Sequence, residues 1–371
     1  MKKAEPFVVM AKPVGARCNL QCSYCYYSHA EKVKDFSSMA IMSDELLETF
    51  IKNYIKESTG PIVPFSWHGG EPTLAGLDFY RKAIYLQEKY LPKGWQVWNN
   101  IQTNALLLDD EWCRFLAEHH FDVGISIDGT KEFHNQYRAK GTYEKVVASI
   151  KRLQSFKLQP DLLCTVNAET MKQPLAVYRS LKSLNTGWIQ FIPIVRRNDC
   201  GEVSEDSVTP EGYGEFLKMI FDEWIESDVK KLGVQLFAEM MLVYSGGSSN
   251  LCWMAPTCGR VIVLEQDGNI YSCDHYVQPE YEIGTIYDAS FRSLVDGARQ
   301  KRFGNQKKEA LAKECKECMH LNVCNGGCPK DRFIKTDDGE LRLNYLCAGL
   351  KDFFNHSSDS LKKVAQRKRI I

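Results

Sequence analysis

The sequence predicts an α/β fold, in which helices cover a sheet of parallel strands, followed by a smaller cysteine-rich α+β domain. Strand-like and helix-like segments alternate about six times over the first half of the chain, and parallel strands need such helical crossovers between them. Eight of the 14 cysteines lie between Cys252 and Cys347, where the alternation has ended. The length of 371 residues, with 44% hydrophobic residues, is enough to bury one large core and a second, smaller one.

The first elements have clear boundary signals. Ser43-Asp44-Glu45 provides a helix N-cap with an acidic first turn. The apolar run from Ile62 to Trp67, followed by His68-Gly69-Gly70, predicts a buried strand. The same patterns predict helices near 78–90, 109–119, 142–157 and 170–184, and strands at 96–102, 122–127, 160–166 and 188–194. These repeated pairs favour a parallel sheet, but they do not decide whether the sheet closes into a barrel.

The alternation stops near residue 196, and the rest of the chain has a different character. Thr209-Pro210 predicts the start of a long helix, because an N-cap residue is followed by proline in the first turn. Asp267-Gly268 between two short apolar runs predicts a hairpin, which would bring Cys258 and Cys273 close together. We therefore expect a first domain over residues 1–235 and a second over residues 236–371.

Charge and hydropathy exclude several classes of function. Lysine plus arginine and aspartate plus glutamate both total 47, so no net charge favours nucleic acid or an anionic membrane as a partner. No run of about 18 apolar residues predicts a membrane span. The N-terminal apolar run is too short for a signal peptide, which makes a cytoplasmic protein the expectation. In such a chain, many cysteines indicate metal binding rather than disulfides.

Three cysteines near the N-terminus form the most specific motif. Cys18, Cys22 and Cys25 have the spacing CxxxCxxC, with no fourth cysteine nearby. A trio of this kind favours an iron–sulfur cluster in which one iron has no protein ligand and remains available to a substrate or cofactor. The alternative is a structural zinc site, which needs a fourth ligand, and His29 is the only nearby candidate.

A second cysteine array follows the predicted hairpin. Taken alone, its CxxC and CxxxC spacings are also compatible with zinc. Taken together with the N-terminal trio, its eight thiolates fit two four-cysteine clusters. The eight are Cys252, Cys258, Cys273, Cys315, Cys318, Cys324, Cys328 and Cys347. The scattered Cys113, Cys164 and Cys200 are expected to be small buried hydrophobic residues.

Both arrays resemble those of a known superfamily. The N-terminal motif, with the aromatic Tyr24 before its last cysteine, resembles the signature of radical S-adenosylmethionine (SAM) enzymes. The distal pattern resembles the SPASM domain of the same superfamily. Cys252 ahead of Cys258, and Asp274 directly after Cys273, are similar to the anaerobic sulfatase-maturating enzymes. The resemblance covers nearly the whole chain and implies a partial (β/α)6 TIM-like barrel followed by a SPASM domain and a C-terminal helix.

The resemblance also implies a reaction and its cofactors. Such enzymes use SAM and three [4Fe-4S] clusters to oxidise a Cys or Ser in a sulfatase's Cys/Ser-x-Pro-x-Arg motif to formylglycine. The implied partners are an unfolded or nascent sulfatase polypeptide and an electron donor such as flavodoxin or ferredoxin, with no nucleic acid and no membrane. The implied ligand sets are Cys252, Cys258, Cys273 and Cys328 for one auxiliary cluster, and Cys315, Cys318, Cys324 and Cys347 for the other.

Site residues follow from the resemblance in the same way. It implies SAM contacts at Tyr24, Gly69, Gly70, Glu71, Ser126, Asp128, Arg138 and Ile192. From the residues alone, Glu71 would cap the next helix and Arg138 would be a solvated arginine. Asp274 is the expected general base, because a carboxylate beside a cluster ligand has a fixed position. Its alternative role is a turn hydrogen bond at the hairpin end, and Tyr27 and His68 are expected to line the same pocket.

Two other functions remain open from the sequence. One is a SPASM-type peptide maturase that forms thioether or carbon–carbon cross-links. Many of those carry a leader-binding domain ahead of the barrel, and the seventeen residues before Cys18 are too few for one. The other is a non-catalytic metal-cluster protein that binds a partner. The auxiliary clusters are expected either to carry an electron away from the substrate or to stabilise the fold.

Overall fold

The structure, a computed structural model, describes residues 5–27, 41–198, 200–336 and 339–368. The chain forms two compact units. The first unit comprises Met1–Ser126, Tyr137–Pro160 and Gly259–Gly304, and the second comprises Ile127–Gln136, Asp161–Cys258 and Asn305–Ile371. Within the described ranges, no helix is long and apolar enough to cross a membrane. His29, the candidate fourth zinc ligand, lies outside the described residues.

The helices are numbered in chain order. They are α1 Asp44–Glu57, α2 Leu77–Tyr90, α3 Asp110–Glu118, α4 Lys131–Tyr137, α5 Tyr143–Ser155, α6 Pro174–Lys182, α7 Pro210–Ser227, α8 Gln235–Tyr244, α9 Phe291–Val295, α10 Ala298–Glu309, α11 Lys313–Lys316, α12 Leu321–Cys324 and α13 Cys347–Lys368. Short 3₁₀ turns lie at Pro72–Ala75, Thr170–Lys172, Pro279–Tyr281 and Pro329–Asp331.

The strands are numbered in the same way. They are β1 Val8–Ala11, β2 Ile62–Trp67, β3 Gln96–Thr103, β4 Asp122–Ser126, β5 Asp161–Val166, β6 Trp188–Pro193, β7 Gly233–Val234, β8 Val261–Leu264, β9 Asn269–Tyr271, β10 Glu282–Thr285, β11 Arg332–Lys335 and β12 Leu341–Asn344.

The first unit is built on a mixed sheet with the order β10-β9-β8-β1-β2-β3-β4. Strands β8, β1, β2, β3 and β4 are parallel to one another, whereas β8, β9 and β10 form an antiparallel meander. Helix α1 covers this sheet with an apolar face, and the ring of Phe50 packs against Phe65 and Trp67 at centroid distances of 5.6 and 6.0 Å. Because β8 pairs with β1, the residues that follow these two strands meet at one edge of the sheet.

The second unit contains the parallel strands β5, β6 and β7 and the antiparallel pair β11–β12. Helices α7 and α13 of this unit pack very closely where two glycines meet. A Cβ atom at Gly349 would lie 1.7 Å from the carbonyl oxygen of Pro210, and one at Gly214 would lie 2.6 Å from the carbonyl oxygen of Gly349. Only glycine therefore permits this helix contact, which supports the segment that begins at Cys347.

The predicted elements agree closely with the structure. Ser43 caps α1 by accepting a hydrogen bond from the Leu46 amide at 3.2 Å, and Thr209 caps α7 ahead of Pro210. The hairpin at Asp267-Gly268 forms between β8 and β9. The parallel strands in both units confirm the predicted α/β class. The sequence interpretation missed the short elements α4, β7 and α8, and it did not anticipate that β8 extends the N-terminal sheet beside β1.

Candidate functional site

The three N-terminal cysteines lie on a loop that follows β1. The Cys25 amide donates a hydrogen bond to the carbonyl of Cys22 at 3.1 Å, so these two residues share one tight turn. The Leu20 amide donates a hydrogen bond to Cys18 Sγ at 3.4 Å. The Ser23 amide donates to the carbonyl of Tyr137 at 3.0 Å, which attaches the loop to the segment that carries Arg138. Backbone hydrogen bonds therefore fix the short loop that carries all three cysteines.

The Gly69-Gly70-Glu71 segment after β2 packs directly against this loop. The Gly70 and Glu71 amides donate to the carbonyls of Gly15 and Arg17 at 2.7 and 2.8 Å. A Cβ atom at Gly70 would lie 2.1 Å from the carbonyl oxygen of Arg17. The glycines thus allow two loops of the protein to pack together, in addition to any approach that they permit to a ligand.

The Glu71 carboxylate is buried and has four hydrogen-bond donors. Oε1 accepts from the Thr73 amide, the Thr73 hydroxyl and the Thr103 hydroxyl at 3.1, 2.6 and 2.7 Å, and Oε2 accepts from the Asn104 amide at 2.7 Å. The bond to the Thr73 amide makes Glu71 the cap of the 3₁₀ turn Pro72–Ala75, whereas the N-cap of α2 is Gly76. Burial raises the pKa of Glu71, although these donors act against the rise. Glu71 therefore joins the carboxyl ends of β2 and β3, and a contact with SAM stays a prediction.

Two further side chains lie beside the trio. Asn104 Nδ2 donates to Asn19 Oδ1 at 2.7 Å and lies 3.7 Å from Cys18 Sγ. The guanidinium of Arg138 stacks on the Tyr24 ring at 5.6 Å from its centroid, and Arg138 is only 9% exposed. The alternative that Arg138 is a solvated arginine is therefore wrong. Asn104 was missed from the sequence, although its position directly after β3, where parallel sheets carry ligands, was an available signal.

The predicted base, Asp274, belongs to a buried cluster of charges at the end of β1 and β8. Lys12 Nζ lies 2.8 Å from Asp274 Oδ1 and 3.0 Å from Glu265 Oε1. The side chains of Lys12 and Glu265 are 1% and 2% exposed, and that of Asp274 is 15% exposed. Burial favours a neutral Asp274, but Lys12, His68 and His275 hold its pKa well below the usual value. Asp274 is therefore an ionised, oriented carboxylate rather than only a turn residue.

Aromatic hydroxyls complete the surroundings of this carboxylate. Tyr27 donates to Asp274 Oδ1 at 3.1 Å, and Tyr26 also donates to Asp274. Tyr27 Oη lies 3.1 Å from His68 Nδ1. Because an ionised carboxylate only accepts, the single Tyr27 proton is directed to Asp274, and His68 Nδ1 then donates to the Tyr27 oxygen. Burial, followed by the charge of Asp274, raises the pKa of Tyr27, so its hydroxyl remains a donor.

The second unit carries two of the residues predicted to contact SAM. Asp128 is 1% exposed, and its Oδ1 accepts from the amide and the hydroxyl of Thr165 at 3.1 and 2.6 Å. Ile192 lies on β6 and is half-buried. In the first unit, Ser126 ends β4 and accepts a hydrogen bond from Gln102 at 3.1 Å. All three remain predictions as SAM contacts.

The distal cysteines of the second unit form two electrostatic groups. Cys328 interacts with Cys252, as does Cys258, whereas Cys324 and Cys347 interact with Cys315 and Cys318. The predicted ligand division groups those seven residues in the same way, and it stays a prediction. Cys273 belongs to the first unit, so its membership of the Cys252 group and its predicted proximity to Cys258 stay predictions. Among the residues that the structure describes, no three His, Cys, Asp or Glu side chains converge closely enough to hold a single metal ion.

None of the 14 cysteines is joined in a disulfide. Cys113 and Cys164 are fully buried, as predicted for small hydrophobic residues. Cys200 is exposed, so the prediction is wrong for that residue. It lies in a turn beside polar neighbours, where its backbone amide donates to Asn198 Oδ1 at 3.0 Å.

The donor set suits iron–sulfur clusters. Eleven cysteines remain once the three scattered ones are set aside, which matches one three-cysteine and two four-cysteine sets. The three N-terminal cysteines lie on a loop that is fixed by backbone hydrogen bonds and adjoins buried polar groups. The distal sets lie near the buried cations Lys307 and Arg332, as expected where thiolate-ligated clusters bring negative charge, although Asp331 also lies near Cys328.

Comparison with known proteins agrees with this arrangement. Residues 13–181 match the family model of the radical SAM superfamily, and residues 252–319 match that of SPASM, an iron–sulfur cluster-binding domain. The chain is 42% identical over 382 residues to the serine-type anaerobic sulfatase-maturating enzyme of Bacteroides thetaiotaomicron, covering 97% of this chain and 92% of that protein. It is 34% identical to the cysteine-type enzyme of Clostridium perfringens, covering 97% and 98%.

A solved structure extends the similarity to the fold. Native anSMEcpe with bound AdoMet and Cp18Cys peptide superposes with a TM-score of 0.88 at 33% identity, covering 98% of this chain and all of that one. Streptococcus suis SuiB bound to its precursor peptide SuiA gives 0.64 at 12% identity, which reflects the shared fold alone. The comparisons confirm the predicted fold class and favour iron–sulfur clusters over the zinc alternatives.

Proposed function

Because this chain belongs to the anaerobic sulfatase-maturating enzymes of the radical SAM superfamily, we propose that Asp274 is the general base of its formylglycine-forming reaction. The chain is an oxidoreductase that converts a Cys or Ser of a sulfatase peptide to formylglycine. The observation that supports Asp274 is its position, because Lys12, Tyr26 and Tyr27 together fix an ionised carboxylate at the end of the sheet.

The reaction removes two electrons and two protons from the side chain that it oxidises. One hydrogen atom leaves from Cβ, one proton leaves from the thiol or hydroxyl, and one further electron must be accepted. Serine then yields the aldehyde directly, whereas cysteine yields a thioaldehyde that water converts to the aldehyde with release of hydrogen sulfide. When bound, SAM and the clusters supply the hydrogen-abstracting radical and the one-electron chemistry.

Residues of this chain carry out the proton transfer. Asp274 accepts it from the substrate thiol or hydroxyl, because an ionised carboxylate within hydrogen-bond reach is a suitable general base. Lys12 stays paired with Glu265 at 3.0 Å whether or not Asp274 carries the proton, so the ammonium keeps a counter-charge. Tyr27 keeps the carboxylate oriented through its hydrogen bond at 3.1 Å.

The cofactor ligands are assigned by residue within the same proposal. Cys18, Cys22 and Cys25 would hold the cluster that binds SAM. The residues that would hold SAM are Tyr24, Gly69, Gly70, Glu71, Ser126, Asp128, Arg138 and Ile192. Cys252, Cys258, Cys273 and Cys328 would hold one auxiliary cluster, and Cys315, Cys318, Cys324 and Cys347 the other. The burial of Arg138 against Tyr24 supports its place beside the trio.

The partners follow from the substrate. An unfolded or nascent sulfatase is the proposed polypeptide substrate, because the oxidised side chain must reach a carboxylate that is only 15% exposed. A cytoplasmic location and a small electron donor such as flavodoxin or ferredoxin complete the proposal. The domain division proposed from the sequence, 1–235 and 236–371, assigns the SAM chemistry to the first part and the auxiliary clusters to the second.

A peptide assay tests the function. Reduced, cluster-loaded protein is incubated with SAM and one of two matched peptides that contain Cys-x-Pro-x-Arg or Ser-x-Pro-x-Arg. Formylglycine should appear as a mass loss of about 18 Da from cysteine or about 2 Da from serine, as the oxidation stoichiometry requires. SAM cleavage that leaves both peptides unchanged would contradict the proposed substrate, and a cross-linked peptide product would favour a thioether-forming or carbon–carbon-forming maturase.

A further inference from the structure

Lys307 is a buried cation held by the loop that carries Cys252. Its side chain lies on α10, and the residue is 1% exposed. Nζ donates to the carbonyl oxygens of Cys252 and Trp253 at 2.7 and 2.8 Å. The next residue, Lys308, is exposed. Lys307 is therefore buried in the second unit, whereas the adjacent Lys308 is exposed to solvent.

Arg332 is a second cation of the same region, and it organises the loop between Cys324 and Cys328. Its Nε and Nη2 atoms donate to the carbonyls of Gly326 and Asn325 at 2.9 and 2.8 Å. Nη1 donates to the carbonyl of Lys307 at 2.6 Å, which links the two cations through the backbone. Gly326 has a φ of +72°, and a Cβ atom there would lie 2.7 Å from Arg332 Nη2. The loop conformation and the guanidinium position therefore depend on each other.

Neither cation has an acidic partner in the part of the chain that the structure describes. The acceptors of Lys307 and Arg332 are backbone carbonyls, and neither residue forms an ion pair with Asp or Glu. Burial of an ammonium without a counter-charge is costly. A fold that keeps two such cations together requires negative charge from another source.

The cysteine thiolates supply that negative charge. The two cations lie near different sets of these cysteines. Lys307 interacts electrostatically with Cys252, Cys258 and Cys328. Arg332 interacts with Cys258 and Cys328, and also with Cys315 and Cys324. A cluster ligated by four thiolates carries net negative charge, and neighbouring positive charge raises its reduction potential by favouring the reduced form. Lys307 thus lies near one cysteine group, whereas Arg332 lies near both.

We propose that Lys307 and Arg332 are the buried counter-charges of the two auxiliary clusters, and that Lys307 selectively raises the reduction potential of the cluster held by the Cys252 group. The difference in potential between the two clusters is then set by this lysine. The proposal goes beyond formylglycine formation and rests only on the assignment of the distal cysteines to two clusters.

The test uses the full chain with Cys18, Cys22 and Cys25 replaced by alanine, so that only the auxiliary clusters remain. The variants are Lys307→Met, Lys307→Arg, Arg332→Gln and the matched control Lys308→Met. Iron content is measured first, and the midpoint potentials of both clusters are then followed by electron paramagnetic resonance during a redox titration. Neither readout depends on turnover of a sulfatase peptide.

We expect Lys307→Met to lower one midpoint potential and leave the other unchanged, Arg332→Gln to lower both, and Lys308→Met to change neither. If Lys307→Met fails to retain iron, retention of iron and of both potentials by Lys307→Arg would support the counter-charge role. An iron-replete Lys307→Met protein with unchanged potentials would overturn the proposal. So would equal shifts of both clusters, or a Lys308→Met shift as large as that of Lys307→Met.

Discussion

Lys12 and Asp274 form an ion pair of 2.8 Å at the point where β1 and β8 end side by side. The two residues are 262 positions apart in the chain. The parallel pairing of β1 with β8, together with the β8–β9 hairpin that precedes Asp274, brings them together. Glu265 lies on the other side of the ammonium at 3.0 Å, so one lysine is shared by two carboxylates. Burial alone lowers the pKa of Lys12, but Asp274 and Glu265 raise it above its usual value, and the residue remains charged.

The first prediction concerns the base itself. Asp274→Asn keeps the size of the side chain and removes its ability to accept the substrate proton. We expect normal iron content and SAM binding, with peptide oxidation slowed by roughly 10²–10⁴-fold, the usual contribution of a general base. The measurement compares the rate of formylglycine formation with that of SAM cleavage. An unchanged rate of peptide oxidation would remove Asp274 from this role.

The second prediction uses the shared lysine. Lys12→Met leaves Asp274 and Glu265 buried without their cation, and breaking a buried ion pair in this way typically costs about 3–5 kcal/mol. Thermal unfolding of the anaerobic protein should show this loss. The double variant Lys12→Met/Glu265→Gln removes one carboxylate charge as well, so it should recover part of the stability.

Activity should not recover in that double variant. Asp274 would still lack the ammonium that orients it, and its pKa would rise towards the value that burial alone favours. Formylglycine formation should therefore stay slow while the unfolding temperature rises. Parallel recovery of stability and activity would show that Lys12 only stabilises the fold.

The cluster-binding role of the cysteines could be predicted from the sequence, because cluster ligands recur at short, characteristic spacings. Cys18, Cys22 and Cys25 lie within eight residues, and Cys315 and Cys318 form a CxxC pair. The strand and helix boundaries were predictable for a similar reason, since caps and apolar runs are local signals. Resemblance to a family then supplied Asp274, which no local pattern distinguishes from a turn aspartate.

Long-range partners could not be predicted in this way. Lys12 follows an apolar strand, where a lysine usually marks the exit to solvent, and nothing near it indicates that β8 will cover it. Glu265 and Lys307 are ordinary charged residues in sequence, and only the fold shows that they are 1% exposed. A buried charge depends on which strands pair, and pairing over 250 residues leaves no local pattern.

The third prediction concerns the contact between the Gly69-Gly70-Glu71 segment and the N-terminal loop. Gly70→Ala places a Cβ atom 2.1 Å from the Arg17 carbonyl, so the loop that carries Cys18 must move. Loaded wild-type protein should hold about twelve irons in three four-iron clusters, and the variant about eight. Iron analysis of Gly76→Ala provides a control that strains the backbone without a steric clash, because a Cβ atom there meets nothing within 4 Å although the φ of +83° disfavours alanine. Full iron content in Gly70→Ala would show that the contact does not support the cluster.

The fourth prediction is a dependence of stability on pH that arises from His68. Burial lowers the pKa of His68, with the charge of Asp274 acting in the opposite direction and that of Lys12 adding to the decrease. The unfolded chain, with an ordinary histidine pKa of about 6.5, therefore takes up a proton at a higher pH than the folded protein does. Stability from this residue is complete above that value and is lost as the pH falls below it.

His68→Gln isolates this contribution, because glutamine keeps a polar side chain near Tyr27 but does not titrate. The unfolding temperature of anaerobic, cluster-loaded protein is measured between about pH 8 and about pH 6, which brackets the ordinary histidine pKa. We expect the wild-type value to decrease more steeply with falling pH than that of the variant. Equal slopes would mean that His68 titrates alike in the folded and unfolded protein, and a shallower wild-type slope would mean that Asp274 outweighs burial and raises its pKa.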